Sequence, residues 1–289
     1  SRALADLGAE YLAVSNLEEA VQIRRGEVRL PILILGYTPA EFAANMIFLD
    51  ITQEVHSLAY AQELNEALAG TNYILNVHLK LDTGMTRIGF FAYGAPQTAE
   101  QLYSYHVETA RIESNNNDRT LDELKQVAAL THLHIEGVFM HFCVADSRAE
   151  EDVSFTRLQY KRFMDMLSAM EGAGIRPEIR HCCNSGATIL YPEFALDMVR
   201  PGIITYGNAP SEELEGAISL RPMMSLHSMV AQVRTVPAGT DISYGRLYRT
   251  ARDTRVAVLP IGYADGLSRL LTGKASFYLR GKLVPVIGR

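Results

Sequence analysis

Over its first two thirds the chain alternates short, β-branched apolar runs with segments of helical spacing, and this alternation restricts the fold more than any single residue does. Strands are predicted at Tyr11–Ser15, Ile32–Gly36, Phe48–Thr52, Tyr73–Leu81, Ile135–His141, Ile179–Cys183 and Met198–Tyr206. Helices are predicted between them at Leu17–Arg25, Ala40–Met46, Ser57–Ala69, Leu121–Leu130, Phe155–Met170 and Ala187–Tyr191. Gly26, Gly70 and Gly174 follow three of these and suit helix C-termini. Strand–helix alternation is the pattern of a parallel sheet with crossover helices. Seven strands are visible, and one more before Arg2 would complete a (β/α)8 barrel. The expected fold class is therefore α/β, a TIM-like barrel whose first strand is missing from this chain. No G-x-G-x-x-G follows a strand, which argues against an open doubly wound sheet.

The pattern changes after Pro210. Ser211–Ala217 is polar and acidic, as a linker would be. Beyond it Leu226–Thr235, Ile242–Tyr244, Arg255–Pro260 and Ser276–Val286 have strand composition, with Gly, Pro and Asp turns between them. The expected division is a barrel domain at 1–210 and a mostly β domain at 218–289. The polar run Glu113–Thr120 reads as an exposed loop. The chain opens in a helical pattern, Arg2–Leu7, and stops in a strand-like one, Val284–Arg289, so a longer natural protein is expected.

Composition narrows the function classes. Hydrophobic residues make up 48% and charged residues 21%, which excludes disorder and a coiled coil. A net charge of −6 argues against a nucleic-acid binder and makes the row Arg246, Arg249, Arg252 and Arg255 a solvated or dimer-facing set. Apolar runs such as Leu30–Leu35 are too short to span a bilayer. The three cysteines, Cys143, Cys182 and Cys183, read as reduced thiols of a cytoplasmic protein. No metal is expected, because His141, Cys143, His181 and Cys182 fit no zinc spacing.

In a barrel the chemistry collects at the C-terminal strand ends. Lys80 and Asp82 end one predicted strand, with Arg87 after the turn; His141 ends the next. His181, Asn184 and Ser185 end another, and Arg200 and Gly202 belong to the last. Singly each has an ordinary reading, as turn former, core histidine or surface charge. Successive polar strand ends are harder to explain that way.

These residues sit in longer motifs. His78-Leu79-Lys80-Leu81-Asp82-Thr83-Gly84-Met85-Thr86-Arg87-Ile88-Gly89 resembles the K-x-D-T-G-M-x-R-x-G signature of bacterial alanine racemases, fold-type III enzymes that use pyridoxal 5'-phosphate. His141-Phe142 with Ala145-Asp146, and His181 with Asn184-Ser185-Gly186-Ala187, are similar to the family's next two motifs. Val199-Arg200-Pro201-Gly202-Ile203 with Tyr206-Gly207, then Ser243-Tyr244-Gly245-Arg246 and Gly262-Tyr263-Ala264-Asp265-Gly266, complete six in order. The resemblance runs from Leu4 to Arg289.

The resemblance implies roles. Tyr244 would be the base on the L-alanine face, hydrogen-bonded by His141. It would reach the barrel site of the other subunit, which implies a head-to-tail homodimer with shared active sites. A free Tyr has a pKa of about 10, so it needs positive neighbours to work near neutral pH. Arg200 would face the cofactor's ring nitrogen and, unable to give up its proton, keep that nitrogen unprotonated. His181 would orient Arg200, while Ser185, Gly202 and Ile203, next to Asn184, would bind the phosphate. Arg87 would support the ring oxygen and the substrate carboxylate, beside Lys80, whose family counterpart is often carbamylated. Tyr263, Asp146, Arg269 and Arg289 match residues lining the family's substrate passage. The lysine that anchors the cofactor and serves as the second base is absent from this sequence and is expected upstream. A C-M-D-Q-like segment is expected downstream, and the chain as written is expected to be inactive.

The implied function is interconversion of L- and D-alanine, supplying D-alanine for peptidoglycan. The alternatives are a racemase for serine or another amino acid, a decarboxylase of the same fold, and a non-catalytic cofactor-binding protein. No Cys follows Cys183, where such a decarboxylase would carry one, and carriers of this fold lack a β domain.

Overall fold

In a computed structural model the chain is described at residues 1–93 and 108–289, with backbone alone at 108–116. It divides into two compact units, Ser1–Met223 and Met224–Arg289.

The first unit opens with α1 (Arg2–Asp6) and then alternates strands and helices. These are β1 (Leu12–Val14), α2 (Leu17–Arg25), β2 (Ile32–Ile34), α3 (Ala43–Phe48), β3 (Ile51–Val55), α4 (Leu58–Ala67) and β4 (Leu75–Asp82). They continue with β5 (Phe90–Phe91), α5 (Glu108–Ala128), β6 (Leu133–Phe139), α6 (Glu150–Gly172), β7 (Ile179–His181) and α7 (Ser185–Leu190). The strands pair in parallel in the order β1-β2-β3-β4-β6-β7, with β5 beside the end of β4. Neighbours in sequence are neighbours in the sheet, the arrangement of a curled sheet of the TIM-barrel kind. Met198 adds a parallel bridge at His181, and among the described residues nothing joins that edge to β1.

Local sequence explains the helix starts. Asn16 caps α2 by accepting from Glu19 N at 2.9 Å, and Glu19 Oε2 reaches back to accept from Ser15 N at 2.8 Å. Ser57 caps α4 through Tyr60 N at 3.2 Å. Leu64, Phe163, Met166 and Leu79 belong to one buried core in this unit.

Two predictions for this unit fail for identifiable reasons. Met198–Tyr206 forms no strand beyond the bridge, because Pro201 lacks an N–H and Ile203–Tyr206 winds into a 3₁₀ turn. Glu113–Thr120 is helix, the middle of α5, anchored where Thr120 Oγ1 donates to Phe91 O at 2.5 Å and where Leu124 and Val127 are buried. Ser211–Ala217 folds onto the first unit: Ser211 Oγ donates to Asp146 O at 2.6 Å, and Leu214 is buried.

The second unit is mostly β, with short 3₁₀ turns between its strands. β8 (Gln232–Val236) pairs antiparallel with β11 (Thr254–Val258), and β9 (Asp241–Ile242) with β10 (Tyr248–Arg249). Ser276–Val286, expected as one strand, is a hairpin of β12 (Ser276–Leu279) and β13 (Lys282–Pro285). Arg280 at φ 47° and Gly281 at φ 83° make its turn, the backbone a two-residue hairpin demands. Among the described residues no helix is long and apolar enough to cross a membrane.

Candidate active site

Strand β4 places the first site residues by its period of two. Leu79 and Leu81 join the apolar core, and the intervening His78 and Lys80 face the side shared with Phe139 and His181. The polar face of β4 is therefore turned inward and must be satisfied by partners. His78 Nδ1 lies 2.8 Å from His181 Nε2, and His78 Nε2 lies 3.1 Å from Glu136 Oε2. The Phe139 ring stacks on His181 at 4.9 Å. His181 Nδ1 is 2.5 Å from Arg200 Nη1, and Arg200 Nη2 donates to Met140 O at 2.8 Å and Cys182 O at 3.2 Å. A chain of four polar side chains thus runs from Glu136 to Arg200.

Two backbone features make room for it. The register between β4 and β6 shifts so that Val77 faces Ile135 and His78 faces Gly137, leaving Glu136 as the extra residue of a bulge. A Cβ on Gly137 would stand 2.6 Å from three atoms of the His78 ring, so only glycine fits beneath it. The Asp82–Gly89 loop is folded as tightly. Asp82 Oδ1 accepts from Gly84 N and Thr86 N, each at 3.0 Å. Gly89, at φ 134°, passes so close to β4 that a Cβ would meet Asp82 N at 2.8 Å.

Cations gather above this chain. Lys80 Nζ lies 4.8 Å from the centre of the Phe139 ring and the Arg200 guanidinium 5.3 Å. Burial, reinforced by Arg200 and Arg87, pulls the Lys80 ammonium down to about 8, although Glu54 and Asp82 act the other way. Burial and the same three cations push His141 down to about 3, so His141 is neutral at physiological pH. Burial lowers Arg200 to about 10, which still leaves it charged. Among the described residues none of Lys80, Arg87 and Arg200 has a carboxylate at ion-pair distance.

Nearby, Gly202 N donates to the Ser185 hydroxyl at 2.9 Å, bringing those two predicted residues together, and Ile203 opens the adjoining turn. Asn184 caps α7 through Ala187 N at 3.0 Å and donates to Phe142 O at 3.3 Å. Gln159 of α6, fully buried, reaches His141 O at 3.3 Å and accepts from Cys143 N at 3.0 Å, bracing the strand end that carries His141.

The remaining predicted residues are divided between the two units. Asp146 is in the first unit, where its carbonyl holds Ser211. Tyr244, 69% exposed, is in the second unit, in a 3₁₀ turn whose Gly245 has φ 75°. Its neighbour Ser243 accepts from Arg289 N at 2.9 Å, and the Arg269 guanidinium lies 5.5 Å from the Tyr263 ring. Ser243, Tyr263, Arg269 and Arg289 line one open cavity of about 1030 Å³ inside this unit.

Comparison with known proteins decides the family. The description "Alanine racemase, N-terminal domain" matches residues 1–113 and 116–210, and "Alanine racemase, C-terminal domain" matches 223–289. An alanine racemase of Desulfovibrio desulfuricans is 42% identical over 283 residues, 98% of this chain and 69% of that protein. The chain belongs to the alanine racemase family. An alanine racemase 2 of Caldanaerobacter subterraneus is 37% identical over 289 residues, 68% of its own length. The solved alanine racemase of Clostridium difficile 630 superposes with a TM-score of 0.83 at 33% identity, covering all of this chain and 68% of that one. The chain is thus of an isomerase family, with the curled parallel sheet and following β domain expected from its sequence.

Of the groups gathered at this candidate site, sequence reasoning assigned no role to His78, Glu136 and Gln159. One signal was present: His78-Leu79-Lys80-Leu81-Asp82 alternates strictly, with ionisable groups at every second position of a strand buried on both faces. Among the described residues no cluster of His, Cys, Asp and Glu is placed to hold a metal ion.

Proposed function

We propose that this chain carries the cofactor site and one acid–base residue of a pyridoxal 5'-phosphate-dependent racemase that interconverts L- and D-alanine, supplying D-alanine for peptidoglycan. The observation that carries this reading, beside family membership, is the concentration of Lys80, Arg87 and Arg200, with no carboxylate at ion-pair distance among the described residues. Such a surplus of positive charge suits a ligand with a phosphate and a carboxylate. The buried Ser185 hydroxyl beside Gly202 N suits the phosphate end, so the donor set fits the group. When bound, pyridoxal 5'-phosphate supplies an electron-withdrawing ring that makes an amino acid's α-proton removable.

The chain's own residues then act as follows. Ser185, Gly202 and Ile203 bind the phosphate. Arg200 spends three N–H groups on His181, Met140 and Cys182, and two remain to donate to the ring nitrogen. A guanidinium donates and does not accept, so that nitrogen stays unprotonated. Arg87 and Lys80 hold the substrate carboxylate end. His141, neutral, accepts the Tyr244 hydroxyl and orients it, and Tyr244 moves the proton on the L-alanine face. In this reading the protein works as a cytoplasmic homodimer in which each protomer lends Tyr244 to the barrel site of its partner. Tyr263, Asp146, Arg269 and Arg289 line the route by which the zwitterionic substrate arrives.

The test is an assay of the purified full protein for the visible absorbance of bound pyridoxal 5'-phosphate and for alanine racemisation. Both are expected. Absence of both overturns the assignment, and turnover of serine at the expense of alanine would move the substrate.

A further inference from the structure

We infer that Glu136 and His78 are positioning residues for Arg200: they fix His181 as the tautomer whose Nδ1 lone pair faces the guanidinium. This rests on the reading that Arg200 serves the cofactor ring. The argument is one of donors and acceptors. Arg200 has only N–H groups, so His181 Nδ1, 2.5 Å from Nη1, must accept. The His181 proton then sits on Nε2, which donates to His78 Nδ1 at 2.8 Å. That leaves the His78 proton on Nε2, where it donates to Glu136 Oε2 at 3.1 Å. Every link has one permitted direction, demanded from one end by the donor-only guanidinium and from the other by the acceptor-only carboxylate.

The far end is itself built to remain a carboxylate. Thr52 Oγ1 donates to Glu136 Oε2 at 3.1 Å, and the Tyr11 hydroxyl lies 2.9 Å from the same oxygen. The hydrogen bond from His78, ahead of those from Tyr11 and Thr52, holds the Glu136 carboxyl below its usual range. Burial and the nearby Arg200 charge keep His181 from taking a second proton. The β6 bulge turns Glu136 inward and Gly137 vacates the space of the His78 ring. A bulge and an obligatory glycine at successive positions are a costly way to fill a core and a direct way to seat an oriented imidazole.

The experiment is ¹⁵N NMR of the histidine ring nitrogens in the full holoenzyme, with His78 and His181 assigned by substitution. It is paired with kcat and KM of Glu136→Gln, which keeps the size of the side chain. In the wild type His78 and His181 are expected as Nε2–H tautomers. Glu136→Gln can present its carbonyl or its amide, and the amide demands the direction opposite to the one Arg200 demands, so His181 is expected to become a mixture, with kcat lower by about tenfold and KM unchanged. A wild-type His181 protonated on Nδ1 overturns the inference, even if the variant does not fold. So does a Glu136→Gln enzyme with the wild-type tautomer and rate. If Arg200→Lys leaves alanine turnover intact while the tautomers are as expected, the cofactor reading fails and the hydrogen-bond direction stands.

Discussion

Strand β4 of the barrel unit buries seven of its eight residues, whereas the four residues of β13 in the β unit are all exposed. Both have strand composition, so composition alone does not tell a packed strand from a bare one. The difference extends to the chemistry. In the barrel unit three site residues are held by neighbours: Arg200 by three acceptors, Asn184 by a helix end, His141 by the carbonyl bond to Gln159. In the β unit Tyr244 is 69% exposed, Tyr278 75% and Leu283 72%. Substitutions in the barrel unit should therefore change stability and activity together, while those in the β unit should separate the two.

The largest expected effect tests that separation. Tyr244→Phe in the full protein should lower kcat for alanine by about 10²–10⁴, the range for removing a positioned acid–base group. Its unfolding free energy should stay within about ±0.5 kcal/mol, as at an exposed site. Kinetics and a denaturant titration on one preparation check both. Preserved turnover would end the acid–base assignment, and a large stability loss would end the contrast between the units.

Phe139→Ala should move both quantities. The ring is 1% exposed, stacks on His181, and lies under Lys80 and Arg200. Its removal should cost about 3–5 kcal/mol and loosen the two cations, so turnover should fall with stability. Urea unfolding beside the racemisation assay reads the pair, and a stable variant with full activity would show that the cations need no aromatic floor.

The same contrast governs what could be read from sequence. Helix α2 was legible at both ends because Asn16, Glu19 and Gly26 act within a few residues of one another. The site residues that end strands were legible as a row of polar strand ends and, more fully, as family motifs. The hairpin within Ser276–Val286 was hidden because Arg280-Gly281 is not a common turn pair, although its backbone is that of one. The end of α5 was legible as the helix expected at Leu121–Leu130, but its earlier part was hidden because Asn and Asp favour turns, and what holds it there is tertiary: Thr120 on Phe91, with Leu124 and Val127 in the core. The partnership of Glu136 with His78 depends on a bulge between two strands more than fifty residues apart, which no local pattern announces.

Acid should act on the barrel unit in a direction that follows from its histidines. His141 sits at about 3 when folded against 6.5 when free, and His181 is lowered as well. Between those values the unfolded chain binds protons that the folded one refuses, so stability rises with pH through the window and falls as pH drops from about 6.5 toward 3. Lys80 repeats the sign at the alkaline end, since its penalty is relieved as pH rises from about 8 to 10.5. Denaturant midpoints measured from pH 4 to 7 should fall on acidification, with a shallower slope in His141→Gln. An unchanged slope in that variant would place the acid sensitivity elsewhere.

The smallest effect is expected at Arg269, whose guanidinium rests 5.5 Å from the ring of Tyr263, itself 52% exposed. An exposed cation–π pair contributes about 0.5–1 kcal/mol, so Arg269→Gln should barely move the unfolding midpoint. If the residue lies on the substrate route, KM for alanine should rise with kcat unchanged, because binding is then weakened equally in ground and transition states. Steady-state kinetics over a range of ionic strength separates this from general surface charge: a wild-type KM that climbs with salt and an Arg269→Gln KM that does not would assign the dependence to this guanidinium. A fall in kcat at constant KM would instead put Arg269 at the reacting atoms, and the division between enclosed barrel groups and open β-unit groups would have to be redrawn around it.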